Sequence, residues 1–136
     1  MVFKNIHVFR VKPGQELLAA ITRYCRKSQV NSAIVLGIIG SLYNAHLKYV
    51  VRLPAMFKSS VYPGPLEIVA AQGTVARKGD DLIIHIHLQV ASQQVCTGGH
   101  LTKAKVFSTA EVSLGELDYQ LHRQTDAYTG LNELVC

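Results

Sequence analysis

The sequence predicts an α+β fold: a mostly antiparallel sheet of about seven strands with one main helix packed on it, in a single domain spanning residues 1–136. Only one segment, Gln15 to Ser28, repeats apolar residues at the three- and four-residue steps of a helical face. The remaining apolar segments are β-rich and follow one another through short turns. A parallel pairing needs a crossover of about a dozen residues or more, which only that helix supplies. The length, 136 residues, suits one core. The helix is expected to cover one face of the sheet, which is either open or closed into a flattened barrel.

Residues 2–11, VFKNIHVFRV, carry Val2, Ile6 and Val8 at even positions and read as a strand that Pro13-Gly14 ends. On the helix at 15–28, Leu17, Leu18, Ile21, Tyr24 and Cys25 share a face. Glu16 lies in its first turn and Arg23, Arg26 and Lys27 lie near its end, both favourable to the helix dipole. SAIVLGII at 32–39 reads as a buried strand punctuated by Gly40-Ser41, and 42–53 as the next strand. Two prolines mark 54–64 as a loop. Residues 65–77 form a strand with a bulge or bend at Gly73. Lys78-Gly79-Asp80-Asp81 is a hairpin signal leading to a strand at 82–91. A short strand at Val95 and Cys96 is expected to end in a Gly98-Gly99 turn, with further strands at 104–114 and 117–123. The tail from Asp126 reads as a short helix or an edge segment.

Apolar residues make up 49% of the chain and charged residues 17%, against about 25% charge in a typical soluble protein. This composition excludes a disordered chain and points to interfaces between subunits. Residues 1–60 hold nine Lys or Arg and one acid, Glu16, a net of +8; residues 61–136 hold five bases and eight acids, a net of −3. A basic half can attract anions, nucleic acid included, although a solvated surface with a cation-rich helix end accounts for the same charges. Cys25, Cys96 and Cys136 are odd in number and widely spaced, which argues against a disulfide scaffold and fits a reducing compartment. The N-terminal segment alternates and lacks the apolar run of a signal peptide. The longest apolar stretch, Ala33 to Ile39, is far short of the roughly 20 residues of a membrane span. A cytoplasmic, soluble protein is expected.

Ile84-His85-Ile86-His87-Leu88-Gln89-Val90 is the sharpest local feature. On a strand, His85, His87 and Gln89 share one face, and imidazoles two residues apart can converge on one ion. If 82–91 and the segment after it pair as a hairpin, His100 returns beside them, with Gly98 and Gly99 allowing close backbone approach. Three histidines with an open fourth position are the pattern of a reactive zinc site. Two half-buried histidines in a polar cavity plus a turn histidine is the plainer alternative. Glu67 is a carboxylate within an apolar strand and needs a partner, for which Arg10, Arg123 or a site histidine could serve; it could also act as a general base. Glu111 invites the same readings. Cys96, four residues before His100, reads as a buried thiol. His7, His46 and His122 have no spaced partner.

Taken in order, Arg10 with Pro13-Gly14-Gln15-Glu16-Leu17, Gly37-Ile38-Ile39-Gly40-Ser41, Gly64-Pro65-Leu66-Glu67-Ile68, Gly73-Thr74-Val75, His85-x-His87, Gly98-Gly99-His100-Leu101, Thr109-Ala110-Glu111-Val112 and Arg123 resemble the PPC domain, named for plants and prokaryotes conserved proteins. The resemblance runs over essentially the whole chain. It implies a stand-alone member, built as a homotrimer on a mostly antiparallel sheet. It also implies that His85, His87 and His100 cluster near a subunit boundary as a zinc or other divalent transition-metal site for a small ligand. Glu67, Arg10, Arg123, Gly98 and Gly99 would stand around that site. Plant relatives bind DNA, but they carry a separate Arg-Gly-Arg-Pro hook that this chain lacks. It also lacks helix-turn-helix and zinc-finger spacing. DNA binding, the alternative function, would therefore rest on non-specific phosphate contacts from the basic N-terminal half.

Overall fold

A computed structural model describes residues 2–135; Met1 and the third cysteine, Cys136, lie outside the described residues. The elements are β1 (Phe3–Val11), α1 (Leu17–Lys27), β2 (Ala33–Arg52), β3 (Met56–Lys78), β4 (Asp81–Ala91), β5 (Cys96–Leu117), β6 (Arg123–Thr125) and β7 (Asn132–Leu134). Five strands form the main sheet in the order β1-β5-β2-β3-β4, with antiparallel neighbours, while β6 and β7 pair as a separate two-stranded sheet. The start of β5 also pairs with β4, so β5, β2, β3 and β4 close on themselves. This is the flattened-barrel form of the expected sheet, with β1 added outside the ring.

Glu16 caps α1. Its carboxylate accepts from the backbone amides of Leu18 (3.2 Å) and Ala19 (2.7 Å), satisfying donors that have no partner within the helix. It also accepts from the amide of Ala104 at 3.0 Å, which fastens the helix to β5. Leu17, Ala20, Ile21 and Cys25 are buried on the helix face that meets the sheet. Each of the larger side chains contributes about 1.5–3 kcal/mol by leaving water. Leu42, Leu47, Leu66, Ile86, Leu101 and Leu114 fill the interior from the strands. Burial pushes the Cys25 thiol up to about 11, so it is a protonated core residue.

Several expected boundaries are corrected. Gly40-Ser41 does not end a strand: Gly40 pairs with Ile68 on one side and Ala110 on the other, and these ladders carry β2 straight through. The predicted loop at 54–64 shrinks to a turn at 53–55, because 56–64 pairs with the far end of β2. Pro63 is accommodated where the register shifts between Leu42 and Asn44. Gly98-Gly99 is not a turn. The chain reverses at Ser92–Val95, where the Ser92 amide donates to the Val95 carbonyl and its hydroxyl accepts from two amides. Residues 104–114 belong to one strand running from Cys96 to Leu117, and 117–123 is mostly a connection into β6. The tail takes the edge-segment form as β7.

β1 carries a further surprise. Its alternating apolar residues face outward, with Ile6 55% and Val8 69% exposed, whereas Val11 is buried. Ile39 on β2 (71%) and Val69 on β3 (58%) are likewise exposed. No helix among the described residues is long and apolar enough to cross a membrane.

Candidate metal centre

The β4 alternation buries Ile86, Leu88 and Val90 and turns His85 and His87 to the opposite face. The β4–β5 hairpin pairs His87 with His100 and Gln89 with Gly98. On its other edge His100 pairs with Lys48 of β2. The ring centroids of His85 and His100 are 4.7 Å apart, those of His85 and His87 5.0 Å, and those of His87 and His100 5.3 Å. One ring nitrogen from each lies within 4.8 Å of the others. A tetrahedral ion with nitrogens at about 2.0–2.1 Å spaces them about 3.3 Å apart, so small side-chain rotations would close the set around an ion.

The glycines before His100 make room for this approach. A Cβ at Gly99 would lie 2.7 Å from Cε1 of Tyr49, and one at Gly98 would lie 2.9 Å from the Leu88 carbonyl oxygen. Burial, then the charge of Arg123, lowers His85 to about 4. Burial, then His85, lowers His100 to about 4. Both rings are neutral at pH 7.

Arg123, 8% exposed, enters from β6. It donates from Nη1 to the Asn132 carbonyl (2.7 Å) and from Nη2 to the Thr74 hydroxyl (2.8 Å) and to Nδ1 of His85 (3.2 Å). Arginine only donates. Nδ1 therefore accepts, and the neutral His85 ring carries its proton on Nε2. That Nε2 is buried and has no hydrogen-bond partner, and neither has Nε of Arg123. Beside the histidines lies a cavity of about 620 Å³, lined also by Lys48, Val50, Phe57, Leu131 and Glu133. The β6–β7 hairpin forms one of its walls.

The structure thus brings His85, His87, His100, Gly98, Gly99 and Arg123 together. It separates two other candidates. Arg10 is exposed on β1, opposite Glu111, and donates to the Thr109 hydroxyl at 2.8 Å. Glu67 is exposed on β3 opposite Ser41 and Ala91. It stands about 16 Å along the strand from Gln72, the residue facing His87. Being solvated, it needs none of the expected partners. Lys48, Phe57 and Glu133 went unrecognised in the sequence because no local pattern links them to the histidines. His7, also without a spaced partner, is bracketed by the Tyr24 hydroxyl and the buried Glu116 carboxylate, each at 3.0 Å.

The Plants and Prokaryotes Conserved (PCC) domain model matches residues 2–118, a span that ends before β6 and β7. Two curated relatives, each named bifunctional protein GlmU and each from a Synechococcus strain, are 35% and 34% identical over 133 residues. The match takes in 96% of this chain but only 20% of the relatives' length. Among solved structures, a metal-containing protein from Archaeoglobus fulgidus has a TM-score of 0.89 at 24% identity, covering 98% of this chain and 94% of that one. A candidate DNA-binding protein from Bacteroides thetaiotaomicron has a TM-score of 0.90 at 17% identity, covering 97% and 92%. Both share the fold.

Proposed function

The chain belongs to the Plants and Prokaryotes Conserved domain family, and from that premise we propose that it is a metal-binding module whose three-histidine centre takes a small ligand. His85, His87 and His100 each supply one imidazole, and a fourth coordination position is left for the ligand. The supporting observation is the convergence of these three rings, with Nε2 of His85 buried and unpartnered. An orphaned buried polar atom is costly unless something takes it up. Imidazole suits zinc, copper, iron and nickel, so the ion is a divalent transition metal, zinc first. Such an ion supplies Lewis acidity at the open position. The name of the Archaeoglobus relative, a metal-containing protein, agrees with this reading.

Gly98 and Gly99 let β5 run close enough for His100 to join the pair, and Arg123 holds the His85 ring. We place Arg10 and Glu67 outside the centre. A homotrimer fits the low charge fraction and the outward Ile6, Val8, Ile39 and Val69. Residence in the cytoplasm fits the free thiols of Cys25 and Cys96.

Elemental analysis of untagged protein, with its solution mass taken on the same sample, tests the proposal. About one zinc-class ion per subunit is the expected result. A metal-free protein, unchanged in metal uptake by His85→Ala, sinks it. The second reading is non-specific DNA binding by the basic residues within 1–60, favoured by the name of the Bacteroides relative. It requires duplex binding at about 50 mM salt that weakens steeply as salt rises.

A further inference from the structure

We infer that the ligand of the three-histidine centre is a small carboxylate with an apolar body, held between the ion and the side chains of Arg123 and Lys48. The inference rests on the metal reading above and adds the class of ligand to it.

Charge balance is the first argument. Metal-binding imidazoles are neutral, so His85, His87 and His100 leave the full charge of a divalent ion uncompensated. The cavity lining adds Arg123 and Lys48 against a single acid, Glu133. A cationic cavity of this kind concentrates anions.

The second argument is the hydrogen bond between Arg123 and Nδ1 of His85. An ion taken by Nδ1 displaces it directly. An ion taken by Nε2 moves the ring proton to Nδ1, where it faces a guanidinium that can only donate. Either way, one Nη2 N–H loses its acceptor when the ion arrives. Nε of the same guanidinium is already without one. Nε is itself fully buried, so it is the freed Nη2 N–H, beside the cavity that Arg123 lines, that a carboxylate oxygen takes up.

The rest of the lining sets the body of the ligand. Val50 and Phe57 are cross-strand partners, and Ile83 and Leu131 join them in the wall. Nζ of Lys48 sits 4.2 Å from the centroid of the Phe57 ring, so the cation stands at the edge of the apolar surface. A singly charged head on an apolar chain fits this arrangement better than a phosphate dianion, which offers nothing to the apolar wall. The volume of about 620 Å³ suits a small molecule. Because the ion releases the Nη2 donor that the carboxylate uses, each tightens the other by the same factor.

The test uses untagged, chelator-stripped protein with cobalt(II), whose visible absorption reports coordination, and butyrate, butanol and inorganic phosphate as probes. We expect butyrate to shift the cobalt band and tighten cobalt binding severalfold, with butanol inert. Lys48→Met should weaken butyrate about tenfold while the cobalt band still forms. A cobalt band that butyrate leaves unmoved overturns the ligand assignment and leaves the metal reading standing. So does a shift with phosphate and none with butyrate. Absence of any cobalt band overturns the metal reading itself, and this inference with it.

Discussion

Nη2 of Arg123, on the short strand β6, lies 3.2 Å from Nδ1 of His85, on β4. This contact ties the C-terminal hairpin to the histidine cluster. It also sets the His85 tautomer, because a guanidinium never accepts a hydrogen bond. The expected behaviour of the centre follows largely from it.

His85→Ala should weaken zinc binding by more than about 100-fold, since a three-ligand set cannot spare a member. The helix and sheet should persist, because His85 stands on the face opposite the buried Ile86 and Leu88. Zinc titration with circular dichroism on the same sample checks both. Equal zinc affinity in the variant removes His85 from the site.

Arg123→Gln should move two quantities in opposite directions. Cobalt binding should strengthen severalfold, because a nearby cation and a competitor for His85 are both removed. Stability should fall by about 1–3 kcal/mol, because the Asn132 carbonyl and the Thr74 hydroxyl lose a charged donor. Metal titration and urea unfolding measure these, and weaker metal binding would contradict the competition.

Acid should destabilise the metal-free protein between pH 6.5 and 4. The folded His85 and His100 rings take a proton only near 4, whereas the unfolded chain takes it near 6.5. The unfolded state thus binds more protons in that window, and stability drops as pH falls through it. The urea midpoint should decline less steeply in the His85→Gln, His100→Gln double variant. Parallel declines in the two proteins would assign the acid sensitivity elsewhere.

Glu116→Gln should cost about 1–2 kcal/mol at pH 7. His7 first, then Asn5 and Lys4, hold this carboxylate below its usual 4.5. Its contribution is present above that value and is lost as pH falls through the lower folded value. The gap between variant and parent should therefore narrow below pH 4.5, as chemical unfolding at several pH values will show. A constant gap would mean that the ionised form is not what matters.

Ile39→Asp should abolish the proposed trimer without unfolding the subunit, because this side chain is 71% exposed in the single chain. Sedimentation analysis should give the monomer mass with unchanged circular dichroism. An intact trimer would move the interface to another face.

Much of the fold was legible because its signals are local. The helical spacing of Leu17, Ile21 and Cys25 and the Lys78-Gly79 reversal each concern residues within a turn or two. The His85-x-His87 alternation needs only a strand. Gly79 adopts φ 59, the backbone such a reversal demands. Strand ends were less legible. Gly40-Ser41 and Gly98-Gly99 look like breaks in isolation, yet cross-strand ladders, on both sides of Gly40 and with β4 for Gly98 and Gly99, outweigh their weak local preference for a turn. Which face of β1 points outward was not legible at all. Alternation reveals a two-sided strand but not which side meets the core.

The sequence by itself determined the class of fold, the helix and its buried face, and the three histidines that could meet. It determined them because periodicity and short-range spacing are properties of the chain alone. Only the tertiary structure decided that β4 and β5 pair in the register His87–His100, and that Arg123 reaches His85 while Arg10 and Glu67 stand apart. It also decided that Lys48, Phe57 and Glu133 wall the cavity. Those relations depend on ring closure through β5, β2, β3 and β4. Closure sets strands distant in sequence side by side, in a register that the packing of the whole core selects.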